Sequence, residues 1–155
     1  MKSIYAAVAL SLSGLALSGC FQNAEVEGEE EVAPIAASEG RMFLPAVEGN
    51  PAAVYFNLEN TSDRAISVRR ADVEGAASAE LHDYMEYDDT EMGSIGIVTV
   101  QPGETVSFEP GGKHVMAFEV SPDLQPESVT SVTLTMAGGK TMSFDVDVLP
   151  ADAER

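Results

Sequence analysis

From residue 40 onward the apolar residues recur at every second position, a period that suits half-buried strands and not amphipathic helices. Val54, Phe56 and Leu58 alternate with Ala53, Tyr55 and Asn57, and Asn60-Thr61-Ser62-Asp63 then supplies a turn. Ile66 and Val68 continue the pattern. Ile95 and Ile97 lead into Val98 and Val100, with a tight turn at Gln101-Pro102-Gly103-Glu104. Val106 and Phe108 follow, then Pro110-Gly111-Gly112 and a run that puts His114, Met116, Phe118 and Val120 on one face. Val132, Leu134 and Met136 form another strand, Ala137-Gly138-Gly139-Lys140 a hairpin turn, and Met142, Phe144, Val146 and Val148 the return. The pattern predicts seven to nine short strands and no helix. An all-β antiparallel sandwich is the natural packing, because each strand has one apolar face to bury. There is no internal repeat, so a single domain is expected over 40–150, with a frayed polar tail at 151–155.

The N-terminus reads differently. In residues 1–19 Lys2 is the only charge, the stretch from Ile4 to Leu17 is apolar and small, and Leu17-Ser18-Gly19-Cys20 follows. Such a run is too short to span a membrane and reads as a secretory signal. Its ending looks like a bacterial lipobox, in which Cys20 is lipidated and becomes the new N-terminus. Cys20 is the chain's only cysteine, so the mature protein is expected to have no free thiol. A lipidated cysteine carries more than one acyl chain, which stable anchoring requires. Residues 20–39 are expected to be that cysteine and an acidic tether, carrying Glu25, Glu27, Glu29, Glu30 and Glu31 with little to bury. As a flexible coil the tether would span roughly 25 Å. Phe21 stands where an aspartate commonly retains such proteins at the inner membrane, which favours the outer one.

The chain has 26 acidic residues against 8 basic ones, a net charge of −18. Nucleic acid and anionic lipid surfaces are therefore poor partners, and a cation or a basic protein is a better one. Simple solubility explains the charge equally well.

The candidate chemistry lies in one spacing: His82, nine residues, Met92, twenty-one residues, His114, one residue, Met116. These are the only two histidines in the chain. Neutral imidazole and thioether are soft donors that monovalent copper prefers, whereas zinc and magnesium want thiolate or oxygen. Thioethers also suit an oxidising compartment, since they form no disulfide. Residues two apart on a strand project from one face, so His114 and Met116 can bind one ion together. Taken singly, each residue has a plainer role: a lone histidine is usually a surface or satisfied core residue, and a lone methionine usually core filler, as expected for Met136 and Met142. Met85 is an alternative to Met92 as the loop ligand. Five acids, Asp83, Glu86, Asp88, Asp89 and Glu91, lie between His82 and Met92. They are either a solvated loop or a negative field that draws in a cation; as oxygen donors they would suit Cu(II), not Cu(I).

Several segments together resemble the periplasmic copper chaperone family called PCuAC. The family pattern is His-x10-Met-x21-His-x-Met, and this chain is one residue short in the first interval and in register thereafter. Ala52-Ala53-Val54-Tyr55-Phe56-Asn57-Leu58-Glu59-Asn60-Thr61 resembles the family's AAxYxxLxNxG strand. Ala79-Glu80-Leu81-His82 resembles its xELH, and Pro110-Gly111-Gly112-Lys113-His114-Val115-Met116 its PGGxHxM. The chain departs from the family in having Glu91-Met92-Gly93 where Met-x-Met-Arg is usual, and Lys113 where an aromatic residue commonly precedes the second histidine. The resemblance implies a cupredoxin-like or immunoglobulin-like Greek-key sandwich that binds Cu(I) through His82, Met92, His114 and Met116.

The expectation is then a copper chaperone, not an enzyme: a monomer held by its lipid anchor on the periplasmic side of a bacterial membrane. By the resemblance, its acceptor would be the copper centre of a cytochrome oxidase or an assembly factor for it. The alternatives are a copper buffer for tolerance and a metal-free lipoprotein scaffold or adhesion module. A blue-copper electron carrier needs a thiolate, and Cys20 is taken. A copper–zinc dismutase needs more than two histidines. No hydrolase signature rises above background in so acidic a chain.

Overall fold

The computed structural model describes residues 34–84 and 92–154, and among these it is all-β, with ten strands and no helix. The strands are β1 (Ile35–Phe43), β2 (Ala52–Asn60), β3 (Ile66–Val73), β4 (Ala76–Tyr84), β5 (Met92–Ser94), β6 (Val98–Val100), β7 (Thr105–Phe108), β8 (His114–Val120), β9 (Val129–Met136) and β10 (Thr141–Leu149). The expected signal segment, Cys20, most of the tether, Met85 and the loop acids Glu86, Asp88, Asp89 and Glu91 lie outside the described residues.

The strands join in one curled sheet in the order β5-β4-β8-β2-β1-β10-β9-β3-β6. β2 is shared along its length, its first residues pairing with β8 and its later ones with β7. Asn60, fully buried at the end of β2, shows how the curl closes. Its amide nitrogen donates to the carbonyl of Val100 in edge strand β6 (2.9 Å) and to that of Arg64 (2.7 Å), while its oxygen accepts from Ser62. The turn that the sequence signals at this point is therefore also a strut across the sandwich.

The core between the two layers is made by the period-two residues. Val54, Phe56 and Leu58 from β2 meet Val132 and Leu134 from β9 and Val146 and Val148 from β10, all essentially inaccessible. Phe56 lies opposite Phe108 and stacks on it with ring centres 4.2 Å apart, and Phe144 meets its other side at 4.9 Å. In β8 the core face is Val115 and Ala117, both fully buried. The alternating set His114, Met116 and Phe118 therefore lies on the opposite face.

Two features differ from the reading of the sequence. β1 begins at Ile35, a buried residue, so the boundary expected at residue 40 falls inside a strand. A bulge between Ser38 and Arg41 hides its alternation. Glu39 adopts a φ of 56° there, and a Cβ on Gly40 would come within 2.6 Å of Val146 Cγ1 and 2.9 Å of the Asp145 carbonyl. Only glycine fits that close approach of β1 to β10. The second difference is that β1 and β10 run parallel, whereas the other pairings are antiparallel. They are the first and last strands described, and no tight turn joins them to dictate an antiparallel course.

The Phe56 stack is expected to carry a large share of the packing energy. Phe56→Ala should cost about 3–5 kcal/mol through lost burial and the cavity left behind. Urea unfolding followed by circular dichroism reads this directly, and a loss under about 1 kcal/mol would mean that the neighbouring rings close the gap.

Candidate functional site

β4 and β8 are antiparallel neighbours whose register sets His82 opposite His114, Leu81 opposite Val115, Glu80 opposite Met116 and Ser78 opposite Phe118. Residues directly opposite each other share a face of the sheet. Leu81, Val115 and Ala117 take the core face, each at most 3% exposed. His82, His114, Glu80, Met116 and Phe118 are thereby gathered on the other. The same alternation that builds the core builds this cluster.

The two imidazole centres are 5.7 Å apart. His114 is buried, with the Tyr55 ring 6.3 Å away on the neighbouring β2, and Phe43 of β1 lies 5.6 Å beyond Tyr55. On the other flank Phe118 stands 6.3 Å from His82. A row of rings thus runs across four strands, with the histidine pair set in it. His114 Nδ1 lies 2.8 Å from the Gly112 carbonyl. That carbonyl belongs to the turn between β7 and β8, which is closed by bonds from Glu109 N to Lys113 O and from Gly112 N to Glu109 O. The Pro-Gly-Gly segment therefore both starts the strand and aims the ring.

His82 is held in another way. Its Nε2 lies 3.3 Å from Glu80 Oε2, and its Nδ1 is buried with no hydrogen-bond partner among the described residues. Beside the pair, the Lys113 ammonium donates to the Asp83 carboxylate at 2.7 Å. This ion pair links the residue after His82 to the residue before His114 and ties the two strands at the site.

Of the residues singled out from the sequence, the fold brings together His82, His114 and Met116, the last of them half-buried. Met92 opens β5, the edge strand that pairs with β4, and stands opposite Tyr84, with Ser94 opposite His82. Met85 and Cys20 lie outside the described residues. Among the described residues no group of three or more His, Cys, Asp and Glu side chains has an arrangement that holds a metal. Sequence reasoning did not assign roles to Tyr55, Glu80 or Phe118. Strand alternation carried the signal, since Glu80 and Phe118 lie two and four residues from a candidate ligand on the same strand.

Comparison with known proteins places this geometry in context. No curated protein matches the chain. Among solved structures, the copper-bound PCuAC domain from PmoF2 is similar with a TM-score of 0.63 at 19% identity, over 76% of this chain and 93% of that one. The apo PCuAC domain from PmoF1 gives 0.62 at 19% identity, over 74% and 92%. The solution structure of CuI-DR1885 from Deinococcus radiodurans gives 0.59 at 22% identity, over 81% and 85%. At such identities the likeness establishes the fold, the cupredoxin-like sandwich of PCuAC domains. The family described as "Putative lipoprotein LpqE-like" matches residues 35–148, which takes in all but the last residue of the ten strands. The chain belongs to the LpqE-like family.

Proposed function

We propose that this protein is a copper carrier that binds one Cu(I) through His82, His114, Met116 and Met92 and hands it on by ligand exchange. The observation that carries this reading is the direct cross-strand pairing of the chain's two histidines with Met116 beside them on the same face. A metal–nitrogen bond of about 2 Å puts an ion roughly 3.2 Å from an imidazole centre, so two rings on one ion stand up to about 6.4 Å apart. The observed separation of 5.7 Å falls within that reach. Met92, in the strand next to His82, supplies the fourth donor in this reading, and Met85 is its competitor.

Donor chemistry selects the ion. Two neutral imidazoles and two thioethers form a soft, uncharged set that favours monovalent copper over zinc or magnesium. Thioethers need no deprotonation, so protons compete only for the imidazoles. Met116 is half-buried and the His82 side chain 14% exposed, so part of the donor set is within reach from outside. An acceptor's ligands can thus replace the donors one at a time, without free copper being released. Two of the fold neighbours, the PCuAC domain from PmoF2 and CuI-DR1885, are copper-bound, which supports the same cargo.

The lipoprotein description of the family supports lipidation at Cys20 and a place on the periplasmic side of a bacterial membrane. The residues between Cys20 and the start of β1 at Ile35 would then tether the β domain to that membrane. We take the protein to act as a monomer and its acceptor to be the copper centre of a cytochrome oxidase or an assembly factor for it. The work is binding and handover, not turnover.

A competition titration of the purified protein against a chromogenic Cu(I) chelator, under reducing conditions, tests the site. One tight equivalent is expected. Removing a second-sphere group alone costs about 10–100-fold in metal affinity, so His114→Ala or Met116→Ala should each cost at least that much while the domain stays folded. Wild-type affinity in both variants would overturn the assignment. Selectivity gives a separate check. Zn(II) in severalfold excess is expected to leave Cu(I) bound, because thioethers are poor zinc ligands. Stoichiometric displacement by zinc would mean that the methionines are not ligands.

A further inference from the structure

The two histidines of the pair are held by different nitrogens. His114 Nδ1 faces a backbone carbonyl at 2.8 Å. A carbonyl only accepts, so in the neutral ring Nδ1 carries the proton and Nε2 keeps the lone pair. His82 is the reverse, with Nε2 3.3 Å from Glu80 Oε2. An ionised carboxylate only accepts, so Nε2 carries the proton and the lone pair is on Nδ1. That Nδ1 is buried and has no partner among the described residues. Folded proteins seldom leave a buried acceptor unmade without a use for it.

We propose that Glu80 is a positioning residue that fixes the His82 tautomer and leaves Nδ1 as its donor nitrogen, while His114 donates through Nε2. The identity of the bound ion rests on the Cu(I) reading above; the orientation of the ring does not. Glu80 is well placed for this role, two residues before His82 on the same face and directly opposite Met116. Holding a ligand histidine by its second ring nitrogen fixes the tautomer and the ring's orientation, and Gly112 and Glu80 would do this for the two rings in turn. The Glu80 side chain is 51% exposed, so its substitution leaves the core packing untouched.

The test begins on metal-free protein at a pH where both rings are neutral, with tautomers read from long-range ¹H–¹⁵N imidazole spectra. His82 is expected as the Nε2–H form and His114 as the Nδ1–H form. Glu80→Ala should give His82 a substantial Nδ1–H population, whereas Glu80→Gln, whose amide oxygen still accepts, should keep the wild-type form. In the Cu(I) titration Glu80→Ala should bind about 10–100-fold more weakly and Glu80→Gln within a few-fold of wild type. Unchanged backbone amide spectra would show that neither variant acts through the fold. An Nδ1–H form of His82 in the wild type, or no change of tautomer in Glu80→Ala, would overturn the proposal. The expected tautomers in a wild-type protein that binds no Cu(I) would uphold the positioning role and refute the copper reading instead.

Discussion

The register between β4 and β8 is the constraint on which the rest of the structure depends. Slipping one strand by a single residue would send His82 into the core and Leu81 onto the open face. Fully burying a leucine is worth about 1.5–3 kcal/mol, so Leu81 holds β4 in register by about that much. The Asp83–Lys113 ion pair is partly exposed and adds at most about 1 kcal/mol. The core therefore sets the register, and the ion pair only trims it. The histidines face each other because their neighbours in sequence are packed behind them.

That arrangement separates stability from the proposed chemistry. Leu81, Val115 and Ala117 pack into the core on one face of the sheet, whereas His82, Glu80 and Met116 on the other keep part of their surface exposed. A neutral donor set also keeps the metal-free protein sound. Gathering thiolates or carboxylates on so sheltered a face would bury charge, which is costly without a counter-ion. Imidazoles and thioethers avoid that cost. The unmade bond at His82 Nδ1 is the visible remainder, and an orphaned buried acceptor costs about 1–3 kcal/mol.

Much of this was legible in the sequence, and the exceptions have physical causes. Period-two alternation gave the middle and C-terminal strands and their turns. β1 was hidden because a bulge breaks its alternation at Glu39 and Gly40, and because only small residues, Ala36, Ala37 and Ser38, separate Ile35 from that bulge. β5, with three residues, is too short to show a period. The choice of face in β8 was ambiguous, since His114-Val115-Met116-Ala117-Phe118 is largely apolar on both sides. The parallel pairing of β1 with β10 has no local signal, because it joins segments about a hundred residues apart. In the site, scarcity made the histidines conspicuous. Glu80 was inconspicuous for the opposite reason, being one acid among 26.

On the proposed ligand set, the strand boundaries supply a reason why a shorter spacing between His82 and Met92 is compatible with the site. β4 runs on through Tyr84 and β5 starts at Met92, so the missing residue falls in the connection between them. A deletion within a strand would reverse the face of every residue beyond it, whereas one in a connection changes only the reach of the loop. The twenty-one residues from Met92 to His114 are less forgiving. They contain β6 and β7, and both are paired: β6 with β3, and β7 with the same β2 that adjoins β8. Any change there must be absorbed by the turns at Gln101–Glu104 or Glu109–Lys113, and each of these is already closed by its own backbone bond. Length is therefore free to vary where it costs the site least and is fixed where it would displace His114.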